Sequence, residues 1–222
     1  MKKTGILITL TLFFTLSFAQ QPTLQTRKYQ DPESTIILKE LQKKLTSYSS
    51  ISIDFTFRSE KNEKFIDEIT GSTYLKGNKY MLKTQQQHIF CDGTNIWSYL
   101  PEQKEVTVSL YEEDDDDQMM NPLKIIQNYE KYYKSDFIRE VMEKGTLIQV
   151  IDLTPLTASS YYKVRLILDK NKKQLMRFVV HEKDGLQYTY AVNKFEVNQN
   201  LSDSQFSFDT AKYPGVEVID IR

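Results

Sequence analysis

The sequence predicts a mainly β protein of the α+β class, with one long antiparallel sheet curled into part of a barrel and two helices against it. Three observations predict this. Apolar and polar residues alternate through much of the chain, as in Ile51-Ser52-Ile53-Asp54-Phe55-Thr56-Phe57, which is the pattern of a strand with one apolar face. The 222 residues include 14 Tyr and 12 Phe against only 7 Gly, and aromatic side chains favour strands. The links between most segments are short, and parallel neighbours need long crossovers, so consecutive strands are antiparallel. About 10–11 strands are expected, and a twisted sheet of that length tends to curl into a barrel or part of one.

The chain opens with Lys2 and Lys3, an apolar run from Ile6 to Phe18, and Ser17-Phe18-Ala19 before Gln20. This is the order of a secretory signal peptide cleaved after Ala19. The run is shorter than the ~20 apolar residues that span a bilayer. No cysteine follows it, so a lipoprotein attachment site is not expected. Residues 1–19 are assigned to the signal peptide, 20–31 to a loose leader and 32–222 to one domain. Formal net charge is −1, or −3 once Lys2 and Lys3 are removed. That balance gives no footprint for nucleic acid or an anionic membrane. Cys91 is the single cysteine, so it has no intrachain disulfide partner, and a buried, inert thiol is expected.

Asp31-Pro32 supplies a cap and a first-turn proline. The helix that follows, Pro32 to Ser47, is amphipathic, with Ile37, Leu41 and Leu45 on its apolar side. Ile51 to Arg58 is the first strand and the charged stretch Ser59 to Lys64 a hairpin turn. Strands are then expected over Phe65 to Leu75, Lys79 to Thr84, His88 to Cys91, Asn95 to Leu100 and Glu105 to Tyr111. Gly77-Asn78, Asp92-Gly93 and Pro101 to Lys104 form turns. Glu112 to Asp117 is a run of six carboxylates. It lacks the alternation and turn glycine of a calcium loop and reads as a solvated loop, with docking to a basic partner surface as the other reading. Asn121-Pro122 starts a second helix running to about Lys134, with Leu123, Ile126, Tyr129, Tyr132 and Tyr133 along one side. Further strands are expected over Phe137 to Met142, Thr146 to Thr154, Tyr161 to Asp169, Gln174 to Glu182, Gln187 to Asn198 and Val216 to Ile221.

Catalytic and metal-binding patterns are absent from the sequence. It has no HExxH, CxxC, G-x-S-x-G elbow or glycine-rich phosphate loop. Asp67 and Glu68 are adjacent on a strand and point to opposite faces. No enzymatic activity, metal or cofactor is therefore expected. The apolar inventory supports two readings that periodicity does not separate. One is an ordinary packed core. The other is an open barrel whose inner surface leaves room for an acyl chain.

Asp92-Gly93-Thr94-Asn95-Ile96-Trp97-Ser98-Tyr99-Leu100-Pro101 resembles the D-G-x-x-(L/I)-W-x-Y-x-P hairpin of the LolA-like outer-membrane lipoprotein carrier family. Gly71 to Lys76 resembles a family strand, and Phe206-Ser207-Phe208 with Pro214-Gly215-Val216-Glu217-Val218 resembles its C-terminal ending. The likeness runs from about Pro32 to Arg222. It implies an incomplete, open antiparallel β-barrel with a helical lid over a hydrophobic cavity. It also implies a monomeric periplasmic carrier. Such a carrier takes acylated lipoproteins from an inner-membrane ABC transporter and delivers them to an outer-membrane receptor. The chain departs from the family pattern at Gly77, where carriers often have an arginine that helps latch the lid. A lipid-binding sensor of the same fold and an exported hydrolase are the alternative readings.

Each acyl methylene moved out of water gains about 0.8 kcal/mol, so an acylated protein needs a cover to cross an aqueous space. The cavity wall is assigned to Ile53, Phe55, Tyr74, Met81, Phe90, Trp97, Val164, Leu166 and Phe178, with Leu41, Leu123 and Ile126 as lid contacts. In the closed form the helices would satisfy the wall, and cargo would displace them, leaving free and loaded states nearly balanced. A one-residue slip in strand phase would swap the faces.

Overall fold

A computed structural model describes residues 30–111 and 122–222. The signal peptide, most of the leader, the acidic run Glu112 to Asp117 and the Asn121 cap lie outside the described residues.

Helix α1 spans Pro32–Thr46. The Asp31 carboxylate accepts from the backbone N–H of Glu33 at 2.9 Å and of Ser34 at 3.4 Å, satisfying two of the donors that a helix start leaves open. Its buried stripe is Ser34, Leu38, Leu41 and Leu45, while Ile36 is exposed. The stripe is therefore turned slightly from the expected one, and Ile37 lies at its margin, partly buried. Helix α2 spans Pro122–Tyr132 and buries Leu123, Ile125, Ile126 and Tyr129. It stops short of Lys134, because Tyr133 already opens a strand.

The described strands are β1 (Ile51–Lys61), β2 (Lys64–Lys76), β3 (Lys79–Thr84), β4 (His88–Cys91), β5 (Asn95–Leu100), β6 (Glu105–Leu110), β7 (Tyr133–Glu143), β8 (Thr146–Pro155), β9 (Tyr161–Asp169), β10 (Gln174–Glu182), β11 (Leu186–Val197) and β12 (Glu217–Asp220). They form one 12-stranded sheet in the order β12-β6-β5-β4-β3-β2-β1-β11-β10-β9-β8-β7. Two meanders meet where β1 pairs with β11, and β12 and β7 are left as edges, so the barrel is open. The expected turn over Ser59 to Lys64 is smaller: only Asn62 and Glu63 take positive φ, 49° and 65°. Two such residues make the tight turn whose twist matches the strands, so charged residues on either side stay paired. Strand β12 is the exception to antiparallel pairing, lying parallel to β6. The long connection from β11 permits that direction.

The sheet has two covered faces. Helices α1 and α2 lie over one, with Ile51, Ile53, Phe55, Ile151, Leu153, Val164, Leu166 and Phe178 beneath them in the main core. On the other face, residues 201–216 pass as a strap over β3 to β6. Leu201, Phe206 and Phe208 join Met81, Phe90, Tyr99 and Val106 in a second core.

Candidate functional site

The helix side of the sheet is defined by the odd residues of β1. Ile51, Ile53 and Phe55 face Leu75, Thr73 and Gly71 of β2, and those in turn face Tyr80, Leu82 and Thr84 of β3. Gly71 is required here: a β-carbon on it would stand 2.6 Å from Phe55 Cζ and 2.6 Å from the Lys83 carbonyl oxygen. The missing side chain lets the Phe55 ring lie flat across the sheet.

Beyond Phe55 the cover thins. Phe57, Tyr188 and Tyr190 are partly buried there and pack against the main core, as do Leu75 and Leu82 level with Ile51 and Ile53. The rings form a continuous aromatic floor. Phe57 stacks on Tyr188 at 5.7 Å and 16°, and meets Tyr190 at 4.7 Å. Tyr190 in turn touches Phe55 at 5.8 Å and Phe178 at 6.2 Å. Burial among these rings pushes the Tyr190 phenol up to about 12, since the charged form is disfavoured out of water.

The helices are antiparallel and tied at three levels. The Gln42 side-chain amide donates to the carbonyl oxygens of Ile126 and Gln127, each at 3.0 Å. Ser34 and Ser135 hydroxyls lie 2.8 Å apart in the interior, and the Ser135 hydroxyl also reaches Gln30 Oε1 at 2.6 Å. At the far end of α1, the Lys44 ammonium donates to the Lys172 carbonyl, and Glu40 pairs with Lys173 at 3.0 Å. Tyr133, where α2 passes into β7, shares a 2.6 Å hydroxyl contact with Tyr161. Burial first, then that contact, raises the Tyr133 phenol well above its usual range.

A cleft of about 400 Å³ opens between the end of α1, the start of α2 and the β2–β3 turn. Leu45, Ile51, Leu75 and Leu123 form its apolar back, and all four pack in the main core. Gly77 lies at its edge with φ +57° and open space beyond its α-carbon. It occupies the first position of a two-residue hairpin, where glycine is favoured. No side chain from position 77 reaches the helices. Lys76 points to the other face, donating to the Leu201 carbonyl and to Asp203, both at 2.8 Å.

The structure brings Ile53, Phe55, Val164, Leu166, Phe178, Leu41, Leu123 and Ile126 into one cluster between helices and sheet. It places Tyr74, Met81, Phe90 and Trp97 elsewhere. Tyr74 is level with Ser52, Met81 with Tyr74, Phe90 with Met81 and Trp97 with Phe90. All four therefore face the strap. This corrects their assignment to the helix-side wall. The physical reason is that these strands carry apolar residues for both faces at consecutive positions, Tyr74-Leu75 and Met81-Leu82, one of each pair packing under the strap and the other against the helix-side core, so alternation no longer marks a face. The helix-side positions missed were Phe57, Leu82, Tyr188 and Tyr190; pairing each with its cross-strand neighbour would have found them. Cys91 is fully buried, and burial raises its thiol, which disfavours the nucleophilic thiolate.

This arrangement can cover hydrocarbon: a broad apolar wall, aromatic at its open margin, under two helices held by side-chain hydrogen bonds. Among the described residues no helix is long and apolar enough to cross a membrane.

Several known proteins are similar to this chain. An outer-membrane lipoprotein carrier protein from Histophilus somni (strain 2336) is 27% identical over 190 residues, covering 83% of this chain and 88% of the relative. An uncharacterized conserved protein from Thermus thermophilus has the same fold, with a TM-score of 0.58 at 13% identity over 85% of this chain and 99% of that one. A LolA superfamily protein from Nitrosomonas europaea aligns at a TM-score of 0.43 and 14% identity, over 79% of this chain and 98% of its own. Residues 46–209 match the family model described as outer membrane lipoprotein carrier protein LolA, a span that takes in β1 to β11, α2 and the first part of the strap through Phe208. With that match running through both faces of the sheet, the chain belongs to the LolA outer membrane lipoprotein carrier protein family.

Proposed function

We propose that this protein is a periplasmic, non-catalytic carrier. It holds the acyl chains of lipid-modified proteins between the helices and the sheet and moves them from the inner to the outer membrane. The observation that carries the reading is the partly buried aromatic group Phe57, Tyr188 and Tyr190, stacked on one another and continuous with the main core. Apolar surface left at a margin in this way is costly in water and useful for a hydrocarbon ligand. In a chain of this family, acyl chains are the ligand that fits.

Ile53, Phe55, Val164, Leu166 and Phe178 form the wall in this proposal, and Leu41, Leu123 and Ile126 the lid surface. Cargo would replace lid contacts with acyl contacts, so the exchange needs little net free energy. An inner-membrane ABC transporter is the proposed donor and an outer-membrane receptor the proposed acceptor. Export through a signal peptide cleaved after Ala19 places the carrier between them.

The test is capture. The mature chain, expressed with an affinity tag in a bacterial periplasm, should co-purify with lipoproteins and release them to membranes bearing a receptor. Introducing a charge at Tyr188, the less enclosed ring of this group, should abolish capture while the protein remains folded. Recovery of no acylated protein, together with no binding of a fluorescent fatty acid, would overturn the reading.

A further inference from the structure

We infer that the cleft beside Gly77 holds the polar end of the cargo, namely the glyceryl ester and first peptide units of an acylated polypeptide whose hydrocarbon lies along the wall. This rests on the acyl-binding reading above and adds a second, chemically distinct subsite to it. An acylated polypeptide is an amphiphile, so its carrier must supply a passage from apolar wall to water. The cleft has that graded character. Its back is Leu45, Ile51, Leu75 and Leu123, shared with the core. Its lining also includes Thr46, Asn78, Gln127 and Asn128; the Asn and Gln amides can donate to ester carbonyls and accept from peptide N–H groups, while the Thr46 hydroxyl, which donates within α1 to the Gln42 and Lys43 carbonyls, can accept.

Among the described residues, the lining includes Lys79 and Lys124 and no carboxylate. Lys79 is paired with Asp203 at 2.8 Å and Lys124 lies over the Tyr111 ring at 4.9 Å, so both cations are already engaged and the lining suits neutral, hydrogen-bonding groups. A volume of about 400 Å³ falls within the roughly 300–1,000 Å³ of small-molecule sites. Gly77 contributes to the opening by having no side chain, and the space beyond its α-carbon is clear. The other end of the helix pair is closed by comparison, with Tyr133 against Tyr161 and Ser34 against Ser135.

The experiment uses the mature chain and two probes: palmitate, and a cysteinyl lipopeptide bearing two palmitoyl chains on a glyceryl thioether and a short peptide. Affinities are read by displacement of a fluorescent fatty acid. Asn128→Trp places bulk at the rim from an exposed position on α2. It should weaken lipopeptide binding about tenfold or more and leave palmitate unchanged, while Asn128→Ala, which removes one hydrogen-bonding group without adding bulk, should weaken the lipopeptide by a smaller factor and also leave palmitate unchanged. Thr46→Trp, also exposed, gives a second obstruction from α1 should the first variant melt early. Unchanged lipopeptide affinity in both tryptophan variants overturns the inference, and so does an equal loss for both probes, while either leaves the carrier reading standing. Failure of the unmodified chain to bind either probe overturns the carrier reading itself, and the subsite with it.

Discussion

The Phe55 ring occupies the space that a β-carbon on Gly71 would need, with Cζ 2.6 Å from the ideal position. The same absent atom clears the Lys83 carbonyl on the neighbouring strand. One glycine thus sets both the lie of a core ring and the approach of β3 to β2. Gly71→Ala should overpack the site and cost about 1–3 kcal/mol, read as a lowered midpoint in urea unfolding. A neutral substitution would show that the ring moves freely and is not held by the strand.

Gln42 bridges the helices through two carbonyls of α2. Gln42→Ala should cost about 1 kcal/mol of stability, as for a typical intramolecular hydrogen bond. Hydrogen exchange should quicken in α2 more than in β8 to β10. Uniform quickening across the molecule would show that Gln42 acts on global stability and does not hold the lid.

Asp203 lies between Lys76 and Lys79, and hydrogen bonds from their ammonium groups lower it from 3.8 to about 2. A depressed carboxyl stabilises the fold above its unfolded value, and that contribution is lost as pH falls towards the folded one. Between about pH 4 and pH 2 the melting temperature of the unmodified chain should fall more steeply than that of Asp203→Asn. Parallel curves would mean that the clamp on the strap contributes nothing.

Tyr190 shows the opposite sign. Its phenol is raised from 10 to about 12, so the unfolded chain ionises first and its stabilising share disappears as pH rises between those values. Tyr190→Phe should flatten the alkaline loss of stability and remove one late phenol from the ultraviolet titration. Acyl ligand should delay that ionisation further in the unmodified chain.

Trp97 faces the strap, in the cluster with Phe90 and Phe208. Its emission should therefore ignore acyl ligands. It should shift in Phe208→Ala, which removes a ring stacked on Tyr213 at 4.4 Å and should cost about 3–5 kcal/mol. A ligand-induced Trp97 shift in the unmodified chain would show that filling one face reshapes the other.

Legibility of the fold followed turn chemistry. Lys79–Thr84, His88–Cys91, Asn95–Leu100, Tyr161–Asp169 and Gln174–Glu182 begin and end where the turn residues indicate. The phase of the central strands was not legible. In Asn95-Ile96-Trp97-Ser98-Tyr99-Leu100, Trp97 and Tyr99 serve the strap face and Ile96 the helix face. A strand with apolar residues on both faces loses the contrast on which alternation depends. The strap itself left one signal, Phe206 and Phe208 with Tyr213 in a stretch too punctuated for a strand. Large apolar anchors there require a surface to receive them, and the outer face of β3 to β6 is that surface.

The ties of α1 described above run to α2, to Ser135 on edge strand β7 and to the β9–β10 turn. These ties thus gather on the β7 half of the sheet, like the spine along which a cover is bound. Turning that cover outward would expose the aromatic page while leaving every rung of the strand ladder intact. Under the proposed function, loading would then need no unfolding of the sheet, and the tension of the binding, set by a few side chains such as Gln42 and Ser34, would govern how readily the book falls open.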